Sequence, residues 1–352
     1  MSTIETLLFY AALCMIISSL IPLIRNDHWT FRVFEYPRLQ KLALSCFLLT
    51  AGLVFSQSSN VLFRLTLIGL SVNITYLMFL VLPFTIFGGR PLKSTLSRDA
   101  KRSVRLLIAN VYQENKKCDL YLNLISTRNP DIILLIETDP WWKDRMDKLL
   151  DCYPYSITAP LDNTYGMLMY SRLPLSDQKV RYLIEPDIPS IKTKVRLECG
   201  QLVTLYCVHP QPPVPQENPR STERDAELLL IAKEASAETD PVIVAGDLND
   251  VAWSYTTKLF SKVSGLLDPR RGRGFFNSFH AKHFFLRFPL DHIFCSSDFT
   301  LSSLKRLPAC GSDHFPVLAE LQYSTNAPDV NDPPVASEED MRLADKKINA
   351  VD

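Results

Sequence analysis

The chain has 352 residues, 47% of them hydrophobic, and its 38 lysines and arginines balance 38 aspartates and glutamates. That length suits one large domain plus an appendage, and zero net charge gives no argument for a globally basic nucleic-acid binder or an acidic tail. The average hides an asymmetry: residues 1–89 are strongly apolar, whereas 90–352 have ordinary soluble composition.

Three uncharged stretches open the chain, at about 6–24, 42–63 and 65–89. A membrane-crossing helix needs about 20 apolar residues. TLLFYAALCMIISSLIPLI and LTLIGLSVNITYLMFLVLPFTIFGG meet that length readily. The middle one, LALSCFLLTAGLVF, is strongly apolar for only 14 residues before a polar QSSN turn. No basic residue precedes the first stretch and no small-residue cleavage site follows it, which argues against a signal peptide. The expected anchor is therefore residues 1–89, with helices at about 6–24, 42–60 and 65–88. Arg25, Arg32, Arg38 and Lys41 lie in the first loop. Arg90, Lys93, Arg98, Lys101, Arg102 and Arg105 follow the third span. With three spans, the positive-inside rule places both basic flanks in the cytoplasm.

Residues 90–103 read as a basic juxtamembrane linker, and 104–324 as a folded domain. Strands are expected at 104–111, 131–137, 166–171, 193–198, 202–209, 241–247, 291–296 and 316–323. Each is rich in β-branched or aromatic residues and bounded by turn formers. Helices are expected at 116–128, with Leu120, Leu124 and Ile125 on one face, and at 219–236. The polar, proline-containing stretch 325–352 is expected to be disordered. None of the eight cysteines forms a CxxC pair, so a zinc site is not expected.

Polar residues recur at the ends of these strands. They are Asn110 in IANVYQEN, Glu137 in DIILLIETD, His209 in VHPQPP, Asp247 and Asn249 in VAGDLND, Asp291 in PLDHIF, and Asp313 and His314 in GSDHFPV. Carboxylates, a carboxamide and imidazoles held rigidly at strand ends suit a metal-assisted hydrolase. A hard divalent cation prefers oxygen ligands, and it supplies positive charge where such a hydrolase needs it.

In this order, each beside a strand, these segments and GMLMYSRLPL resemble the endonuclease/exonuclease/phosphatase superfamily with the DNase I-like fold. The resemblance spans about 104–323. It implies an α/β, four-layer α/β/β/α sandwich with its site at one end, here preceded by about three transmembrane helices. The anchored prefix, VHPQPP and DPRRGRG are similar to a bacterial subgroup of inner-membrane members, which implies a multi-pass inner-membrane protein. Carried over to this sequence, the resemblance makes Glu137 the principal ligand of Mg2+ (or Mn2+), with Asn110 beside it and Asp313 nearby. Asp247 would orient or deprotonate the attacking water, with Asn249 holding Asp247 or a phosphate oxygen. Asp291 and His314 would form a carboxylate–imidazole pair, and His209 would contact phosphate or protonate the leaving oxygen.

Other motifs read less sharply. The HxxH of His280 and His283 invites a metal reading, but the family has no ligands there. His292, next to Asp291, should face the opposite side of its strand. Arg270, Arg271 and Arg273 are either phosphate contacts or a solvated basic loop. Trp141, Trp142 and Trp253 are core or rim aromatics. FNSFHAKHFF replaces the stretch usual before LDH and borders the substrate cleft. The expected partners are the lipid bilayer and a phosphoester, of nucleic-acid or phospholipid type; no protein partner is expected. The rival from another class is a non-catalytic, membrane-tethered scaffold that retains the fold.

Overall fold

The computed structural model describes residues 2–55 and 60–351. Helix α1 (Thr3–Leu20), a short α2 (Trp29–Arg32), α3 (Arg38–Phe55) and α4 (Val61–Val81) come first. With their short extensions, the three long ones run for 22, 18 and 24 residues and are apolar enough to cross a membrane. They bury a narrow seam of Ala12, Leu48 and Leu70 and leave Leu7, Phe47 and Phe79 outward, the pattern of a bundle solvated by lipid. Residues 57–59 of the expected QSSN turn lie outside the described residues; the Asn60 side chain accepts from Phe63 N–H at 3.1 Å and caps α4.

Two sheets follow. Strands β1 (Ser103–Asn110), β2 (Ile132–Ile136), β3 (Tyr155–Ala159) and β4 (Met167–Ser171) join β10 (Phe299–Arg306) and β11 (Val317–Tyr323) in the order β10-β11-β1-β2-β4-β3. The second sheet runs β5 (Leu175–Arg181), β6 (Ser190–Arg196), β7 (Leu202–Val208), β8 (Val242–Asp247) and β9 (Asp291–Cys295), in that order. Leu106, Ile108, Leu134 and Met169 of the first sheet interlock with Val203, Leu205, Ile243 and Ile293 of the second. Outside the first sheet pack α5 (Cys118–Arg128) and α6 (Pro140–Met146), through Tyr121 and Trp142. Outside the second pack α7 (Thr222–Ala237) and α8 (Tyr255–Ser264), through Leu228, Leu229 and Phe260. Both faces of the central strands are covered, so β1, β2 and β8 read as continuous apolar runs rather than alternating ones. This is the four-layer sandwich expected from the sequence.

β1 and β2 are parallel, as are β7 and β8. Parallel neighbours end together, so Asn110 and Glu137 emerge side by side, as do His209 and Asp247. Gly246 makes the second pair possible. Its φ is +152°, and a Cβ there would lie 1.9 Å from the Val208 carbonyl oxygen.

The described part of the expected disordered stretch, residues 325–351, is folded instead. It carries α9 (Glu338–Ile348), started by a Ser337–Asp340 capping box. Ala344 is buried against α7 and α8, with Met341 and Ile348 beside it, and Lys347 Nζ reaches Asp225 at 2.7 Å. The helix is unstable alone because most of its surface is polar. It forms because one apolar stripe and three lysine–aspartate pairs find partners.

The segments that join and follow the N-terminal helices are docked on the domain. Arg32 pairs with Asp225 at 2.7 Å, both buried, and Arg38 Nη1 donates to the Trp253 carbonyl at 2.8 Å. Trp253 Nε1 donates to the Glu35 carbonyl at 2.9 Å, and its ring packs between Phe84 and Phe275. Trp253 is thus the hub between the N-terminal helical region and the domain, and Trp142 is sandwich core. The 90–103 stretch is pinned too: Leu92 is buried in the inter-sheet core, and Leu301 N–H donates to the Lys93 carbonyl at 2.9 Å.

Candidate active site

The register of β8 and β9 sets Asp247 directly opposite Asp291. Two carboxylates in that position repel each other. His314 relieves this: Nδ1 is 2.8 Å from Asp291 Oδ2, and Nε2 is 3.5 Å from Asp247 Oδ2. Burial alone would lower the His314 pKa, but the two carboxylates overcome it and push it up to about 10. The ring is therefore an imidazolium at neutral pH. Burial raises the Asp247 carboxyl, and the charge on His314 opposes that rise.

Asn110 links the two sheets across the end of the sandwich. Its Nδ2 donates to Glu137 Oε1 at 2.6 Å and to Asp247 Oδ2 at 3.2 Å. Glu137 (φ 61°) and Asn249 (φ 50°) both hold left-handed backbone, a conformation that costs energy in a residue with a side chain. The turn at Asn249 lets its N–H donate to Asp247 Oδ1 at 2.9 Å, while its Nδ2 donates to the Pro210 carbonyl at 3.0 Å. His209 is buried, its ring 5.2 Å from that of Tyr165. Burial lowers its pKa to about 4, with only partial opposition from Asp247, so it is a neutral ring at pH 7.

Seven of the eight residues singled out in the sequence meet in this network or beside it. Asp313 stands at its margin: it is half-buried, its Oδ1 accepts from Ser312 Oγ at 3.3 Å, and its charge helps to raise Glu137. Asn110, His209, Asp247, Asp291 and His314 are buried, whereas Glu137, Asn249 and Asp313 are half-buried and mark the open side.

The residues present fit a cation. Four carboxylates face one imidazolium, and desolvation pushes the Glu137 pKa up to about 7. Asp291 Oδ1 and His209 Nδ1 are buried without a hydrogen-bond partner among the described residues. Asp247, Asp291 and His314 bring ligand-type atoms within 4.8 Å of one another. Both His314 nitrogens already face carboxylates, however, so this trio is an internal ion pair. The more open oxygen set is Glu137 with Asn110 and Asp313.

Sequence reading missed the residues that hold this frame. Ser278 Oγ accepts from Leu290 and Asp291 N–H at 3.2 and 3.0 Å, and Ser312 Oγ accepts from His314 N–H at 2.9 Å. Ser312 was visible inside GSDH; Tyr165 carried no signal. Arg270 is neither a phosphate contact nor solvated. It is buried, clamped on Asp268 (2.7 Å) and bonded to His292 Nδ1 (2.6 Å). Arg273 instead grips the stretch after the anchor, donating to the Leu92 carbonyl at 2.6 Å. His292 does face away from the site, its Nε2 2.8 Å from the Asp250 carbonyl.

The family model for the endonuclease/exonuclease/phosphatase family matches residues 107–314, more than half of the chain, and the protein belongs to that family of phosphoester hydrolases. No curated protein matches it by sequence. Solved structures with the same fold include humanized D. rerio TDP2, at 18% identity and TM-score 0.52, covering 63% of this chain and 99% of that one. The human nocturnin catalytic domain with bound sulfate has 17% identity and TM-score 0.51, covering 64% and 97%. Mannosyl-6-phosphatase of Bacteroides thetaiotaomicron has 18% identity and TM-score 0.51, covering 62% and 100%. Each of the three matches leaves more than a third of this chain uncovered.

Proposed function

We propose that the protein is a membrane-anchored, divalent-metal-dependent phosphoester hydrolase in which water attacks phosphorus directly. The observation that carries this reading is the Asn110–Glu137–Asp247–His314–Asp291 network, drawn from both sheets and open on one side. Glu137, Asn110 and Asp313 would hold Mg2+ or Mn2+, which when bound supplies positive charge to the phosphoryl oxygens. Asp247, fixed by the Asn249 N–H, orients the attacking water and accepts its proton. His314, held cationic by Asp291, stabilises charge building on a phosphoryl oxygen. His209, neutral and buried, offers a hydrogen bond to phosphate.

The three apolar helices and the contact of residues 25–41 with the domain support an anchor with both on one side of the membrane. The basic residues of that loop and of 90–105 favour the cytoplasmic side of a bacterial inner membrane. The test is turnover by the full chain, reconstituted in nanodiscs, on bis(p-nitrophenyl) phosphate, single-stranded DNA and phospholipid. Magnesium-dependent hydrolysis that falls at least about 1,000-fold in Asp247→Asn is expected. Equal rates in Asp247→Asn and the parent would sink the assignment. Metal-independent inertness on every substrate would favour a non-catalytic scaffold.

A further inference from the structure

The segment 279–288 forms one wall of the site and has no role in the network described above. Its base is closed by Phe279 N–H donating to the Phe288 carbonyl at 3.0 Å, and by His280 N–H donating to the Leu286 carbonyl at 3.0 Å. The base touches the chemistry: the Phe279 and His314 ring centroids are 5.0 Å apart, and Ala281 N–H donates to the Asp313 carbonyl at 2.6 Å. The tip is strongly apolar yet uncovered, with Phe284 72%, Phe285 79% and Leu286 53% exposed. Three adjacent large apolar side chains at such exposure mark an interaction surface.

The position of the tip names its occupant. Gln40 Nε2 of α3 donates to the Phe285 carbonyl at 2.7 Å. The uncharged run of α3 begins at Leu42, two residues on, or about 3 Å along a helix. The tip therefore lies at the depth where a membrane-crossing α3 leaves the headgroups and enters the acyl region. A second exposed aromatic, Phe87 at 82%, lies just beyond α4. Cations ring the tip: Arg287 lies over the Phe284 ring at 5.0 Å and the Phe315 ring at 5.1 Å, Arg306 over Phe315 at 4.4 Å, and Lys282 over Tyr112 at 5.3 Å. Aromatic residues ringed by lysine and arginine are the composition of a membrane-interface anchor.

We infer that Phe284, Phe285 and Leu286 insert into the bilayer interface beside α3 and hold the open side of the site toward lipid headgroups, so that the substrate is a phosphoester of a membrane lipid. Phe285 lies six positions beyond Phe279, a span of at most about 21 Å, so the reacting centre stays close to the headgroup layer. The lipid half of this inference rests on the hydrolase reading above, and the insertion half only on the membrane-anchor part of that reading.

The experiment uses the full chain in phosphatidylglycerol–phosphatidylethanolamine nanodiscs. Phe285→Trp, with the parent's fluorescence subtracted, should be quenched by lipids brominated on the acyl chain. Phe284→Ser/Phe285→Ser touches no side chain of the network. It should lose at least about 10-fold in turnover of bilayer phospholipid while hydrolysing soluble bis(p-nitrophenyl) phosphate at the parent's rate. Absence of quenching would overturn insertion, whatever the activity. Quenching with single-stranded DNA cleaved in preference to lipid would overturn the lipid substrate. Quenching with inertness on the soluble diester would count against the hydrolase reading and leave insertion supported.

Discussion

Asp247 and Asp291 face each other in the sheet, and His314 is what makes that pairing tolerable. Removing it leaves two buried carboxylates without a counter-charge. His314→Ala should lose about 2–4 kcal/mol of stability and about 100- to 1,000-fold in kcat. Adding Asp291→Asn should recover part of the stability and none of the activity; urea melts and turnover of the two variants check both halves. Glu227 on α7 poses the opposite problem. Burial pushes its pKa up to about 8, and its Oε1 has no hydrogen-bond partner among the described residues. An unfolded glutamate titrates near 4.3, so between about pH 4.3 and pH 8 the folded state keeps a proton that the unfolded state releases. The stability contribution is full below that window and declines as pH rises through it. Glu227→Gln should therefore gain on the parent between pH 5 and pH 8.5 in urea unfolding. A gap that narrows with pH would refute the shift.

The segment 25–41 behaves as a structural element of the soluble domain. Arg32, Glu35 and Arg38 are buried in contact with Asp225 and Trp253, and the Tyr36 hydroxyl donates to the Asn249 carbonyl at 2.8 Å. Arg32→Ala should cost about 3 kcal/mol, read as a lower Tm and faster proteolysis between α1 and α3. Asp225 also retains Arg224 and Lys347, so the variant should fold. This docking was illegible in the sequence, where the same arginines read only as topogenic charges, because their partners lie some 200 positions away. The eight anticipated strands were legible because each is buried on both faces or alternates cleanly. β3, β5 and β10 were not: β5 (LSDQKVR) is an edge strand with little apolar surface, and β10 (FTLSSLKR) is polar along most of its length. The α9 stripe of Met341, Ala344 and Ile348 was present at helical spacing but sparse within a polar tail. The candidate site residues stood out because each lies at or beside the end of a strong strand, and the fold gathers them at one end of the sandwich. Their supports, Ser278 and Tyr165, lie in turns where polar residues are commonplace.

At the scale of the whole molecule, the N-terminal helical region and the sandwich share a hydrophobic cluster built from Tyr36, Leu39, Phe84, Trp253 and Phe288. A fragment beginning near residue 100 exposes that cluster and leaves the Asn249 carbonyl without Tyr36. Such a fragment should melt below the full chain and show a rise in Tm when a 25–41 peptide is added, since a ligand of the folded state stabilises it by mass action. An unchanged Tm at millimolar peptide would count against the docking. Within the family, then, this chain couples a common sandwich to an N-terminal segment that completes its surface.

The distance in sequence between docking partners has a consequence for biosynthesis. Arg32 and Asp225 are 193 residues apart, and Arg38 and Trp253 are 215 apart. A ribosome adding about 5–20 residues per second needs roughly 10–40 s to cover that interval. Throughout it, the nascent chain already carries α1 and α3, while Arg32 and Arg38 wait for acceptors not yet made. The Arg32–Asp225 pair therefore cannot close before synthesis has reached the second sheet's helical cover, so docking of the N-terminal segment is a late event in the making of this chain.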